Sequence, residues 1–286
     1  MTMMTARTVA LSADVAQAEE LIANPSSDRL FIDVRLGDPE EELTSFRTCH
    51  IFGAVHAQIR DVFAGPPTPT TGNLPLPSVE SLQRKLDAWG VGRETDVVVY
   101  GPTPALAARG WWVLKWAGVE KVRVLDGGLS SWMAAGGAVA QGDAIPRHSV
   151  SNPIRLSHGH MPTIEAQEVE HLDQSTILID ARDETSYLAG CIPGARNLPA
   201  SDQWTPTRKL RTGREIAELY ARAEVSPRSN NVVVYCGGGV LSALEVLTMA
   251  ATTGTVPRLY VGSWSEWNKS AGRLARSAEY NQQMAR

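Results

Sequence analysis

Cysteine is sparse in this chain: 286 residues hold three, Cys49, Cys191 and Cys236. So small and odd a set does not make a disulfide framework. It points to free thiols in a reducing compartment, so the cytoplasm is the expected location. Cationic excess is also missing. Lys+Arg number 27 against Asp+Glu 31, a formal charge of −4, which excludes a surface built to neutralise nucleic-acid phosphates. No window comes near the roughly 18 uninterrupted apolar residues of a membrane span. The apolar stretch at the start is short and broken by Ser12 and Asp14, a poor signal-peptide core. What is present is an ordinary globular composition, 43% hydrophobic and 20% charged. At roughly 100–200 residues per domain, the length suggests two domains.

Against these absences stands one internal repetition. Leu30-Phe-Ile-Asp33-Val-Arg35 returns as Leu178-Ile-Asp180-Ala-Arg182, and Cys49-His50-Ile-Phe-Gly53-Ala54 returns as Gly190-Cys191-Ile-Pro-Gly194-Ala195. Val97-Val-Val-Tyr100 returns as Val232-Val-Val-Tyr235, and Asp126-Gly-Gly-Leu-Ser-Ser-Trp132 as Val261-Gly-Ser-Trp-Ser-Glu-Trp267, both 135 residues later. Such a period is too long for a solenoid, so each copy is expected to be a whole domain. The Gly/Pro/Ser-containing stretch between them reads as a linker. The expected division is an N-terminal domain over 1–140, a linker over 141–160 and a C-terminal domain over 161–286.

Within each copy, short β-branched runs alternate with helical stretches. Leu30–Val34, Asp96–Tyr100, Val122–Leu125, Ile177–Asp180, Asn231–Tyr235 and Arg258–Val261 read as buried strands. Ser78–Trp89, Arg109–Ala117, Gly213–Ala223 and Ser242–Ala251 read as helices. The expected fold class is therefore α/β, each domain a central, mainly parallel sheet flanked by helices. Ligands of such sheets sit beyond the carboxyl ends of strands, which directs attention to the residues after Tyr100 and Tyr235.

Those two places differ in chemistry. The second reads Tyr235-Cys236-Gly237-Gly238-Gly239-Val240-Leu241-Ser242 and runs into a helix. Glycines let successive backbone N–H groups curl round one point, and the start of a helix adds partial positive charge. Both effects favour a thiolate and would hold a negatively charged sulfur adduct, so Cys236 reads as a nucleophile. A buried structural cysteine is the alternative. The first copy reads Tyr100-Gly101-Pro102-Thr103-Pro104-Ala105-Leu106, with no nucleophile and two prolines that lack an N–H. It should be catalytically silent.

Taken together, these motifs resemble the two-domain rhodanese family, the thiosulfate and 3-mercaptopyruvate sulfurtransferases. The resemblance rests on the Asp-x-Arg strand ends (Asp33/Arg35, Asp180/Arg182), His50–Ala54 and Cys191–Ala195, Asp126–Trp132, the Cys236 loop and Gly262–Trp267. It runs from about Leu30 to Trp267. It implies two tandem rhodanese-like domains, the first silent and the second catalytic. It also implies a sulfurtransferase that moves a sulfane sulfur to a thiophilic acceptor (cyanide, a thiol or a thioredoxin-like protein) through a Cys236 persulfide. No cofactor, metal, nucleic acid or membrane partner is implied. Gly237, Gly238, Gly239, Val240, Leu241 and Ser242 would offer backbone N–H groups to the sulfur.

The resemblance extends to other residues, and the sequence departs from it in places. Thiosulfate-type loops in the family carry cations after the cysteine, whereas mercaptopyruvate-type loops resemble Cys-Gly-Ser/Thr-Gly-Val-Thr. The present loop is closer to the second, without a hydroxyl at Gly238 and with Leu241 for Thr. Ser242 could supply a displaced hydroxyl. Arg182 has two readings: a guanidinium that binds the small donor anion, or an internal salt bridge bracing the loop. Ser186 stands where a second basic residue is usual, and Arg109 and Arg196 are the replacements available. His50 reads either as a proton-transfer group or as a structural histidine bonded to backbone. Cys191, where His is usual, reads as a redox partner or as a small buried residue. His158, His160 and His171 complete no known metal spacing. Trp111, Trp112 and Trp116 read as core and interface packing, and Val261 replaces an Asp.

Rival chemistries fare worse. A cysteine phosphatase needs Arg six residues after its nucleophile, where this chain has Ser242. A dinucleotide site lacks its acidic residue. The remaining alternative is a rhodanese-like sulfur-relay or binding module with little turnover of free donors.

Overall fold

In the computed structural model, the predicted apolar runs become parallel strands covered on both faces. The structure describes residues 14–145, 152–225, 229 and 231–284; the stretch read for a signal peptide and part of the linker lie outside them. The strands are β1 (Val15–Ala16), β2 (Arg29–Arg35), β3 (His50–Ile51), β4 (Val55–Gln58), β5 (Asp96–Tyr100), β6 (Val122–Leu125), β7 (Val139–Ala140), β8 (Ile177–Asp180), β9 (Arg196–Asn197), β10 (Val232–Tyr235) and β11 (Arg258–Leu259). One sheet has the order β1-β6-β5-β2-β4 and the other β11-β10-β8-β9, with parallel pairing throughout both. β3 and β7 form a small antiparallel pair.

The repetition holds in register and in hydrogen bonding. Asp33 stands opposite Tyr100, and Asp180 opposite Tyr235. The Tyr100 hydroxyl accepts the Ile51 N–H at 3.2 Å, and the Tyr235 hydroxyl accepts the Ile192 N–H at 3.0 Å. β1, which the sequence pattern did not mark, pairs beside β6, and in the second half a single parallel bridge from Thr163 to Leu259 takes that place. These additions are too short to carry a period-2 pattern. The C-terminal helix Ala271–Met284 is a further element that was not expected.

Two helices follow the two loops, Pro104–Trp116 and Leu241–Thr253, and pack against each other across the domain seam. Both are apolar nearly all round, as a helix buried between two sheets must be. The first starts five residues earlier than the spacing suggested. Pro104 takes the first helical position, where a missing N–H costs nothing, and the Thr103 hydroxyl caps the Leu106 N–H. Trp111 and Trp112 are buried, as expected for packing. One apolar core runs through the seam, joining Val34, Phe63 and Ala107 to Ala243, Leu244 and Leu247. The seam is therefore a continuation of the interior, and a side chain from either domain can reach the other's loop.

Candidate active site

Cys236 follows the last residue of β10 and is 1% exposed. Its Sγ accepts the Gly239 N–H at 3.1 Å and the Ser242 hydroxyl at 3.4 Å. The loop therefore curls round the sulfur, though not with every amide. Among the described residues, the backbone N–H groups of Gly237, Gly238, Val240, Leu241 and Ser242 form no hydrogen bond to Sγ, because the turn aims only the Gly239 amide inward. Ser242 contributes its side chain, the displaced hydroxyl anticipated above.

Only one of the three glycines needs to be glycine. Gly239 has φ +81°, and a Cβ there would lie 2.9 Å from both Arg109 Nη1 and Val261 O. Gly237 has open space, and a Cβ on Gly238 would make ordinary contact with Leu74 and Ser265. A hydroxyl-bearing residue thus fits sterically at 238.

Behind the loop, the Gly262–Trp267 motif acts as a brace. The Cys236 N–H donates to the Ser263 hydroxyl at 3.2 Å, and that hydroxyl donates to Tyr260 O at 2.9 Å. The N–H groups of Trp264 and Ser265, at the start of a short helix, donate to Cys236 O and Gly237 O. Ser263 adopts φ +55°, an uncommon conformation for a side-chain-bearing residue that costs roughly 1–2 kcal/mol. From the other domain, the Asn73 N–H donates to the Ser265 hydroxyl at 2.9 Å. Sequence reasoning placed Ser263 in the Gly262–Trp267 motif without giving it a role, and missed Asn73 altogether.

The Arg182 guanidinium is committed internally. It pairs with Asp180 through Nε at 3.0 Å, donates from Nη2 to Gly190 O at 2.6 Å and lies over the Trp264 ring at 4.8 Å. These bonds occupy Nε and Nη2, as a brace would, and Nη1 takes part in none of them. Arg196 binds the carbonyls of Ala223 and Glu224. His50 is buried in the N-terminal domain, its Nδ1 2.9 Å from Phe46 O and its ring stacked on Phe46 at 3.9 Å. No hydrogen bond joins it to Cys236 among the described residues, so its geometry is that of the backbone-bonded histidine. Cys191 is buried beside Asn281, with its thiol pushed up by burial. Among the described residues, no three His, Cys, Asp or Glu side chains converge to hold a metal ion.

Two buried ionisable groups flank the loop. Glu245, one turn beyond Ser242, bonds the Gln203 amide and the Tyr220 hydroxyl, and burial pushes it up to about 8. Arg109, from the first domain, donates to Gly239 O at 3.2 Å. Its position among the replacement arginines was legible, but its reach across the seam was not.

A parallel α/β sheet whose strand end leads through a sulfur-centred turn into a helix N-terminus, present once with a cysteine and once without, is the arrangement of a tandem-domain protein built for thiol chemistry. Known proteins agree with that class. The rhodanese-like domain family matches residues 14–135 and 165–270. The protein of Pseudomonas aeruginosa named "Probable 3-mercaptopyruvate sulfurtransferase" is 33% identical over 274 residues, covering 90% of this chain and 95% of that one. A Mycobacterium tuberculosis relative bearing a thiosulfate sulfurtransferase name is 32% identical over 251 residues, covering 84% and 87%. The crystal structure of SseA from Escherichia coli, a 3-mercaptopyruvate sulfurtransferase, superposes with a TM-score of 0.75 at 26% identity, covering 89% of this chain and 100% of that one. The chain belongs to the rhodanese family, as a sulfurtransferase with two rhodanese-like domains.

Proposed function

We propose that Cys236 is the sulfur-carrying nucleophile and that 3-mercaptopyruvate is preferred over thiosulfate as donor. The observation that carries the reading is the convergence of the Gly239 N–H and the Ser242 hydroxyl on one buried sulfur. In the first half-reaction the Cys236 thiolate attacks the donor sulfur. An S–S bond forms on Cys236 and the donor's C–S bond breaks. The electron pair leaves as the enolate of pyruvate, which takes up a proton. With thiosulfate the bond broken is S–S, and sulfite leaves with the pair. In the second half-reaction a thiophile attacks the outer sulfur and Cys236 departs as thiolate. Cyanide would leave as thiocyanate and a thiol as its persulfide. Two half-reactions sharing one covalent intermediate give ping-pong kinetics.

The donor preference follows from charge. No cation follows Cys236 on the loop rim, and Arg182 gives its Nε and Nη2 to Asp180 and Gly190, so a dianion finds fewer partners there than beside a cationic loop. The acceptor is a small thiophile or the thiol of a carrier protein. The two half-reactions as written call for no cofactor, and the free thiols suit the cytoplasm. Among the described residues no helix is long and apolar enough to cross a membrane.

The test measures kcat/KM for both donors with cyanide as acceptor, together with intact mass after donor treatment. We expect the mass to rise by one sulfur atom in the wild type and not in Cys236→Ser, with a higher kcat/KM for 3-mercaptopyruvate. A donor-treated enzyme without added sulfur overturns the persulfide. No turnover of either donor, with Cys236 still alkylatable, establishes a relay module instead. Arg182→Ala should lower kcat/KM for both donors equally; a loss confined to one would restore Arg182 as a donor anchor.

A further inference from the structure

One buried charge has no part in the chemistry described so far. Arg109 sits on the silent domain's helix Pro104–Trp116 and is 0% exposed. Its Nη2 donates to Phe63 O at 3.0 Å and Leu74 O at 2.9 Å, and its Nη1 crosses the seam to Gly239 O. Its Nε is buried with no hydrogen-bond partner, and no carboxylate pairs with it among the described residues. Desolvating a guanidinium without a counter-ion is among the most costly arrangements a protein interior can hold. Three carbonyls offer partial negative charge, but none offers a full one.

The ionisable group whose charge acts on Arg109 is Cys236: burial pushes the guanidinium down to about 10, and an anionic Cys236 opposes that shift. The geometry supports the pairing. The residue that accepts from Arg109 Nη1 through its carbonyl is the same Gly239 that donates its N–H to Sγ. Arginine and sulfur thus bear on one residue from opposite sides of the seam. The repeat makes the arrangement one-way. The residue 135 positions after Arg109 is Leu244, so the active domain's helix returns no charge to the silent loop.

We propose that Arg109 is a positioning residue supplied by the silent domain as the built-in counter-charge of the Cys236 sulfur. It favours the thiolate before transfer and the terminal sulfur anion of the persulfide after it, while keeping Gly239 aimed at both. This rests on the reading of Cys236 as the nucleophile. The silent domain thereby takes part in the reaction without a nucleophile of its own, by carrying the charge that the nucleophile needs.

The other ionisable groups on elements packed round the loop are engaged elsewhere. Arg182 and Asp180 at the end of β8 pair with each other, and Glu245 on the loop's own helix binds Gln203 and Tyr220. Tyr235 receives the Ile192 N–H, and Glu266 interacts with Tyr260 and Glu165.

The experiment follows Cys236 alkylation by iodoacetamide in the full chain between about pH 5 and 9, for wild type, Arg109→Met and Arg109→Lys. Arg109→Met should label roughly tenfold more slowly near pH 6.5, with its profile displaced upward by about one pH unit so that the gap closes at high pH. Arg109→Lys should recover to within about threefold of wild type. An unmoved profile, or equal losses in both variants at every pH, overturns the proposal and leaves Arg109 as a seam bolt. A second variant covers the case in which Arg109→Met fails to fold. Arg109→Gln keeps a donor for the surrounding carbonyls without the charge, and should label as slowly as expected for Arg109→Met near pH 6.5. A wild-type rate in Arg109→Gln overturns the counter-charge. Sulfur transfer retained by Cys236→Ser would instead overturn the underlying reading, which keeps the two failures apart.

Discussion

The two loops after Tyr100 and Tyr235 hold the same place in the topology and differ, at one constant offset, in the residues that surround the sulfur. Cys236 answers Gly101, Gly239 answers Pro104, and Ser242 answers Ala107. Leu244 answers Arg109, Glu245 answers Gly110, and Ser263 answers Gly128. The last pair is instructive. Gly128 has φ +54° and Ser263 φ +55°, so the left-handed turn is common to both domains while the side chain is not. In the active copy a serine occupies a conformation that suits glycine, and its hydroxyl holds the Cys236 N–H. The silent copy keeps the easier residue and has packed its site shut. A Cβ on Gly101 would meet Val34 O at 2.4 Å, and the space left beside it is about 10 Å³, walled partly by Arg208 from the other domain. At this turn a side chain is carried in the left-handed conformation where it holds the Cys236 N–H, and is absent in the copy without the cysteine.

The comparison can be broken most directly by moving the nucleophile. Cys236→Ser should lose at least about 10³-fold in sulfur transfer, and adding Gly101→Cys should restore none of it. Recovered turnover, measured as thiocyanate formation, would mean that the silent loop lacks only its cysteine. Next in size is Gly239→Ala, where φ and the 2.9 Å approach to Arg109 Nη1 and Val261 O both forbid a side chain. It should cost roughly 10²-fold in kcat/KM, and Gly237→Ala less than about threefold. Equal effects of the two alanines would remove the distinction drawn between the glycines.

Ser263→Ala keeps the turn but leaves the buried Cys236 N–H unpaired. It should lower the unfolding free energy by about 1–3 kcal/mol, read from urea denaturation. No change would make the brace ornamental. A last effect, on the pH dependence of stability and not on turnover, concerns Glu245. Its folded-state value near 8 lies above the ordinary 4.5, so the fold favours the protonated acid. That contribution is complete below pH 4.5, declines as pH rises and is gone above about 8. Glu245→Gln should therefore flatten the decline of the urea midpoint between these limits. A wild-type slope retained in the variant would place the titrating group elsewhere.

Much of this was readable from residue order. Parallel strands buried on both faces leave continuous apolar runs, so Val97–Tyr100 and Val232–Tyr235 announced themselves and fixed the place of the loops between them and the next helices. Short edge strands such as Val15–Ala16 leave no such pattern. The site was half legible. Cys236, the glycines and Ser242 lie within seven consecutive residues, where local chemistry is visible. The partners of Arg182 were not legible, because an Asp-x-Arg pair at a strand end can face either way; in the fold its Nε and Nη2 go to Asp180 and Gly190. The roles of Ser263, inside a motif, and Asn73, outside one, carried no signal, since a hydroxyl or a backbone N–H becomes functional only when something is brought to it.

The sequence by itself determined the duplication, the parallel sheets and the inequality of the three cysteines. These follow from periodicity and from neighbours along the chain, which folding cannot rearrange. The tertiary structure alone decided which donors reach the sulfur, which glycine has no room for a side chain and which arginine crosses the seam to the loop. Those depend on two helices meeting across a seam, 130 residues apart from Arg109 to Gly239. Burial in that seam, where a charge must find a partner, turns a packing residue of the silent half into part of the site.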